Sequence, residues 1–163
     1  MSSVIVQRVE ADTNTPADSK FLEWVESALN SAKGRAVGID KSAELTIRVV
    51  GRDESAEFNR QYRNKSGPTN ILSFPFEKPE GLPVEAALNF PLGDLLICSP
   101  LVVEEAHSQN RSVESHWAHL VVHGVLHLLG MDHIGNSDAE EMESMEAEIL
   151  ANMGISDPYL DRC

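Results

Sequence analysis

Two spacings of apolar residues alternate along the chain, and each predicts a different element. Period-two patterns mark strands. Val4-Ile5-Val6 reads as a short first strand, and Leu45, Ile47 and Val49, separated by Thr46 and Arg48, predict a half-buried strand over 44–50. Asn70 to Phe76 predicts a third, at a sheet edge or ending early, because Pro75 has no N–H for a ladder. The nearly all-apolar run Gly93 to Cys98 predicts a central strand. Helical spacing governs the rest. Phe21, Leu22, Val25, Ala28, Leu29 and Ala32 predict a helix over 19–33 closed by Gly34. A short helix over 53–62 offers Ala56, Phe58 and Tyr62 for packing, and further helices are expected over 100–109, 112–130 and 138–153. Ser99-Pro100 supplies a cap and a first-turn proline for the first of these three. Ser137 to Glu140 forms a capping box for the last, with Gly154 beyond its end.

Polar and Pro/Gly-rich stretches at 12–16, 63–69 and 77–91 separate these elements, and no repeat or low-complexity tract interrupts them. The pattern predicts one domain over 1–163 with an α+β fold of mixed α/β character. About four strands pack with about five helices, and the chemistry sits on a central helix.

Composition adds little to that picture. The chain is 42% hydrophobic and 24% charged, ordinary for a globular protein that buries a core without disulfides. Cys98 and Cys163 form no CxxC pair and match no metal-ligand spacing. No run approaches a membrane span and no secretory leader opens the sequence, so a cytoplasmic protein away from membranes is expected. Charge matters more. A net −13 argues against nucleic acid on average, yet Arg48, Arg52, Arg60, Arg63 and Lys65 concentrate basic charge in one segment. Glu140, Glu141, Glu143, Glu146 and Glu148 read as the solvated face of the last helix.

The candidate chemistry lies in His123-Gly-Val-Leu-His127-Leu-Leu-Gly130-Met-Asp-His133. Residues four apart on a helix share a face, so His123 and His127 can grip one ion. Gly130 can end the helix in the left-handed region, and His133 returns as a third ligand. Three protein ligands leave a fourth zinc position for water, the catalytic arrangement. His116 and His119 continue the same stripe, about 80° wide, while Trp117, Leu120, Val121, Val125 and Leu128 face the core. His119 is open to three roles: orienting a ligand, carrying a proton, or touching substrate. It also suits hydrogen-bonded packing at the lip of the site. Asp132 either orients a ligand imidazole or caps the turn, and His107 reads as structural.

HxxxHxxGxxH also belongs to metzincin proteases, whose general base follows the first histidine. Here that position is Gly124, so the protease base is missing. A phosphodiester suits the site better, because a cation and an arginine stabilise its anionic transition state. Arg63, at the start of a polar loop, is the candidate arginine.

Three segments carry a family resemblance. Phe58 to Lys65 followed by Pro68 to Pro75, Leu92 to Ile97, and His116 to His133 resemble the motifs of the YbeY family, as does the ending Asp157-Pro158-Tyr159. The usual acidic residue after the lysine of the first motif is Ser66 here. The resemblance implies a zinc-dependent, single-strand-specific endoribonuclease acting in 16S rRNA 3′-end maturation and ribosome quality control. It implies Zn2+, or another divalent ion, on His123, His127 and His133, and Arg63 as the functional arginine. Expected partners are single-stranded rRNA and the small ribosomal subunit or its assembly factors, with neither DNA nor membrane. Two alternatives remain: a metal-dependent peptidase or amidase, and a non-catalytic ribosome assembly factor with a structural metal.

Overall fold

Four strands form one mixed sheet in the order β1-β2-β4-β3: β1 (Ser3–Arg8), β2 (Glu44–Val50), β3 (Ile71–Pro75) and β4 (Gly93–Cys98). The computed structural model of the chain describes residues 3–9, 15–31, 44–76, 91–131 and 136–159. β1 and β4 both run parallel to β2, and β3 returns antiparallel to β4 with Pro75 opposite Gly93. Pro75 therefore does end an edge strand, where its missing N–H disrupts no second ladder. Among the described residues there are five helices: α1 (Asp18–Leu29), α2 (Arg52–Arg63), α3 (Ser99–Ser108), α4 (Val113–Leu128) and α5 (Asn136–Asn152). The α+β expectation holds.

Differences lie at element ends. α1 stops at Leu29, where the Asn30 N–H bonds Glu26 O at 2.9 Å; Gly34 lies outside the described residues. Ser99 opens α3 as its first residue, with extended Cys98 before it and Pro100 in the first turn. α5 begins at Asn136, ahead of the expected start, and the side chain of the expected cap Ser137 lies outside the described set. The surface excursion expected at 77–91 falls almost wholly outside it as well.

The strand pleat sends side chains to two cores. Leu45, Ile47, Val49, Leu95 and Ile97 face the larger one, filled by Phe21 and Val25 of α1, Trp117, Val121 and Val125 of α4, and Met142 and Leu150 of α5. Trp117 is fully buried, edge-on to Phe21 at 5.5 Å; trimming such a residue to alanine costs about 3–5 kcal/mol. Val50, Leu72 and Leu96 form a smaller core on which Phe58 and Phe74 rest.

α4 lies unusually close to the sheet because of Gly124. A Cβ at that position would come within 2.7 Å of Leu95 Cδ2 and 2.9 Å of Ile71 Cδ1. Glycine thus sets the depth at which the histidine-bearing helix rests on β3 and β4.

Candidate functional site

Ser112 caps α4 by accepting the Ser115 N–H at 3.1 Å, and the helix runs without a break through His123 and His127. Their spacing brings the two Nε2 atoms to 3.0 Å from each other. Directly after α4, Gly130 adopts φ +100°, and the Met131 N–H reaches back to Leu126 O. The helix is therefore closed at the glycine, as the sequence predicts. Asp132 and His133 lie outside the described residues.

His123 and His127 open onto a groove of about 500 Å³, floored by Ile71 to Phe74 of β3 and walled by Tyr62, Arg63 and Thr69. Two buried polar residues of α2 hold that wall. Ser55 Oγ donates to Thr69 O at 2.6 Å and accepts the Thr69 N–H at 2.9 Å, while Asn59 Nδ2 donates to Gly67 O at 2.9 Å. The loop after Arg63 is thereby pinned, and Arg63, the last residue of α2, is left exposed on the groove. Arg48, Arg52 and Arg60 pair with Glu54, Glu104 and Glu57. Arg63 and Lys65 have no carboxylate partner among the described residues, so the field of the basic segment is concentrated beside the histidines.

A second cavity of about 740 Å³ adjoins the first and shares Asn70, Ile71 and His123 with it; Arg111, His116, His119 and Tyr159 also line it. A hydrogen-bonded chain crosses this cavity. Arg111 Nη1 lies 3.2 Å from His116 Nδ1 and 3.3 Å from His119 Nδ1. A guanidinium only donates, so both Nδ1 atoms accept and both Nε2 atoms carry the proton. His116 Nε2 then donates to Glu105 Oε1 at 2.9 Å, and His119 Nε2 to Tyr159 Oη at 3.0 Å. The Tyr159 hydroxyl donates to Glu146 Oε2, and His123 Nδ1 bonds Glu146 Oε1.

Burial alone would raise the Glu146 carboxyl, but hydrogen bonds from His119 and His123 outweigh it and hold it at about 2. Ionised Glu146 can only accept, so His123 carries its proton on Nδ1 and turns the Nε2 lone pair toward His127. Burial holds His119 below the usual histidine range, offset only in part by Glu146. Burial would likewise raise Glu105, yet bonds from His116 and Asn70 bring it below the carboxylate norm.

The donor set fits a divalent ion of the zinc type. Two imidazole nitrogens converge, and a carboxylate fixes the tautomer of one of them, the usual support of a ligating histidine. Among the described residues no group of three His, Cys, Asp or Glu is arranged to hold an ion.

Arg63, His119, His123 and His127 thus border one continuous pair of cavities. His119 has both ring nitrogens engaged, and His116, only 3% exposed, is held between Glu105 and Arg111. His107 is exposed on α3 and lines neither cavity. The acidic run of α5 divides. Glu140, Glu141 and Glu148 are exposed as expected, but Glu146 is fully buried, which corrects its assignment to a solvated face. A signal for it exists: Met142, Glu146, Ile149 and Leu150 fall at core spacing, so a carboxylate occupies an apolar stripe. Arg111 and Glu105 carry no comparable signal.

Comparisons with known proteins bear on the family to which the chain belongs. The family described as Endoribonuclease YbeY matches residues 7–154. A Coxiella burnetii protein named Endoribonuclease YbeY is 48% identical over 160 residues, covering 98% of this chain and 99% of its own. One of the same name from Colwellia psychrerythraea is 48% identical over 150 residues, 92% of each chain. Another from Nitrosococcus oceani is 46% identical over 157 residues, 96% of each. The solution structure of a Thermotoga maritima protein shares the fold, with a TM-score of 0.54 at 23% identity over 93% of this chain and 91% of that one. With its converging histidines, its groove arginine and these relatives, the chain belongs to the YbeY endoribonuclease family.

Proposed function

We propose that the protein is a metal-dependent, single-strand-specific endoribonuclease, with zinc held by His123, His127 and His133. The observation that carries this reading is the convergence of the His123 and His127 Nε2 atoms, 3.0 Å apart, in the groove that Arg63 also lines. When bound there, the ion supplies a Lewis acid that activates water and neutralises phosphoryl charge. Arg63 binds the phosphate bidentately and stabilises the charge that builds on its oxygens. Glu146 holds His123 in the ligating tautomer, and Tyr159 and His119 hold Glu146. A proton-carrying role for His119 requires it to release Tyr159 or Arg111, so its first task is positioning.

Peptide hydrolysis is disfavoured on structural grounds. The position after His123 points at Leu95 and Ile71 and has no room for a base. Family membership supports a role in 16S rRNA 3′-end maturation and ribosome quality control in the cytoplasm. No helix among the described residues is long and apolar enough to cross a membrane. The acidic balance suits a protein whose substrate is presented by the small subunit or an assembly factor, with weak, salt-sensitive affinity for naked RNA.

The test incubates zinc-loaded protein with labelled single-stranded RNA, duplex RNA and casein, alongside His123→Ala. Cleavage of the single strand alone, lost together with stoichiometric zinc in the variant, is expected. Casein cleavage without RNA cleavage, or full zinc retention by His123→Ala, overturns the proposal.

A further inference from the structure

The groove has an aromatic end that phosphate binding and metal ligation leave unused. Phe58 and Tyr62 lie one turn apart on α2, and their rings stack with centroids 5.6 Å apart and planes 15° from parallel. Phe74 of β3 closes the cluster, 5.1 Å from Tyr62 at 70°. Phe58 and Phe74 are half-buried on the smaller core. Tyr62 is 62% exposed, more than any other large apolar or aromatic side chain described. Tyr62 and Phe74 both line the groove with Arg63, His123 and His127.

An exposed ring usually moves freely. Here Phe58 lies nearly parallel to Tyr62 and Phe74 stands edge-on, so the plane is fixed and a ligand face meeting it loses little side-chain freedom. The neighbouring residue in sequence is Arg63, whose guanidinium has no carboxylate partner among the described residues. A rigid aromatic face beside an exposed arginine is how proteins receive a single nucleic-acid strand, with the base on the ring and the phosphate on the cation. A base inside a duplex has both faces covered by its neighbours, whereas an unpaired base can be splayed onto a side chain.

We propose that Tyr62, backed by Phe58 and Phe74, is a stacking subsite for an unpaired nucleobase of the RNA strand whose phosphate Arg63 holds. This rests on the endoribonuclease reading above and deepens it, since it gives the preference for single strands a place in the structure. The subsite tolerates any base, because each has a π face.

The test compares wild type, Tyr62→Ala and Tyr62→Phe, all zinc-loaded, on short single-stranded RNAs carrying one abasic site at successive positions. Tyr62→Ala is expected to raise KM for intact RNA about 5- to 150-fold, the usual loss for one stacked base. Tyr62→Phe, which keeps the ring, restores it. One abasic position weakens wild type by a similar factor and costs Tyr62→Ala nothing more. Circular dichroism and a thermal melt check that the exposed substitution leaves the fold intact. A wild-type KM in Tyr62→Ala overturns the subsite, as does an abasic profile identical in both proteins. If wild type cleaves no RNA, the endoribonuclease reading falls instead. The subsite is then judged by binding of the same RNAs, where equal affinity of wild type and Tyr62→Ala overturns it.

Discussion

Glu146 of α5 accepts a hydrogen bond from Nδ1 of His123 on α4, across 23 residues of sequence and inside a site that excludes the carboxylate from solvent. The contact couples the last helix to the imidazole whose Nε2, on the opposite side of the ring, is the proposed metal ligand. Glu146→Gln keeps the shape and one acceptor but loses the charge that fixes the tautomer. Zinc affinity should fall about 10–100-fold, read by competition with a chromophoric chelator. Unchanged affinity would remove Glu146 from the support of the site. Glu146→Ala should in addition lower stability by about 1–3 kcal/mol, because Tyr159 and His123 lose their buried partner.

Acid should weaken the metal-free protein in a defined window. Glu146 sits at about 2 in the fold against 4.5 ordinarily, and His119 lies below its ordinary 6.5. Both groups are deprotonated more readily in the fold, so on acidification the unfolded chain takes up protons first. Stability is complete above pH 6.5, begins to fall as His119 titrates in the unfolded chain, and falls further from 4.5 toward 2 as Glu146 follows. Urea midpoints across this range check the sign; a midpoint rising toward low pH contradicts it.

Arg63→Ala should separate chemistry from folding. The side chain is exposed and ion-paired to no described residue, so the unfolding free energy should move by less than about 0.5 kcal/mol. Cleavage should drop about 10²–10³-fold if the guanidinium stabilises phosphoryl charge. Cleavage at the wild-type rate takes Arg63 out of the mechanism.

Gly124→Ala pits two effects against each other. Removing a mid-helix glycine gains about 1 kcal/mol. The added methyl would meet Leu95 and Ile71 at 2.7 and 2.9 Å, and overpacking of that kind costs about 1–3 kcal/mol. A lower melting temperature with weakened zinc binding is expected; a higher one with full activity would show that Leu95 and Ile71 yield.

The sequence made the strands at 44–50 and 93–98 legible because both carry unbroken apolar patterns, and α4 because its core face and histidine face are each in phase. The shared groove of Arg63 with His123 and His127 was legible only as chemistry, since it depends on the sheet order that lays β3 beneath α4. Glu146 was obscured by its neighbours: among five glutamates, four of them at solvent-facing or rim positions, the one at core spacing reads like the rest. Arg111 could not be found at all, because its partners are ring nitrogens brought near by the turn between α3 and α4. Likewise Ser55 and Asn59 look like ordinary helix-surface residues until Thr69 and Gly67 fold over them.

α4 serves the larger core with Val121 and Val125 and the groove with His123 and His127. Side-chain tips sit about 5–6 Å from a helix axis, so a 10° roll of α4 displaces an imidazole by about 1 Å. A shift of that size in a reacting group can cost on the order of a hundredfold in rate. Thermostabilising substitutions chosen for tighter fit beneath this helix will therefore trade against turnover, and safer candidates lie on β1 and the outer surface of α1.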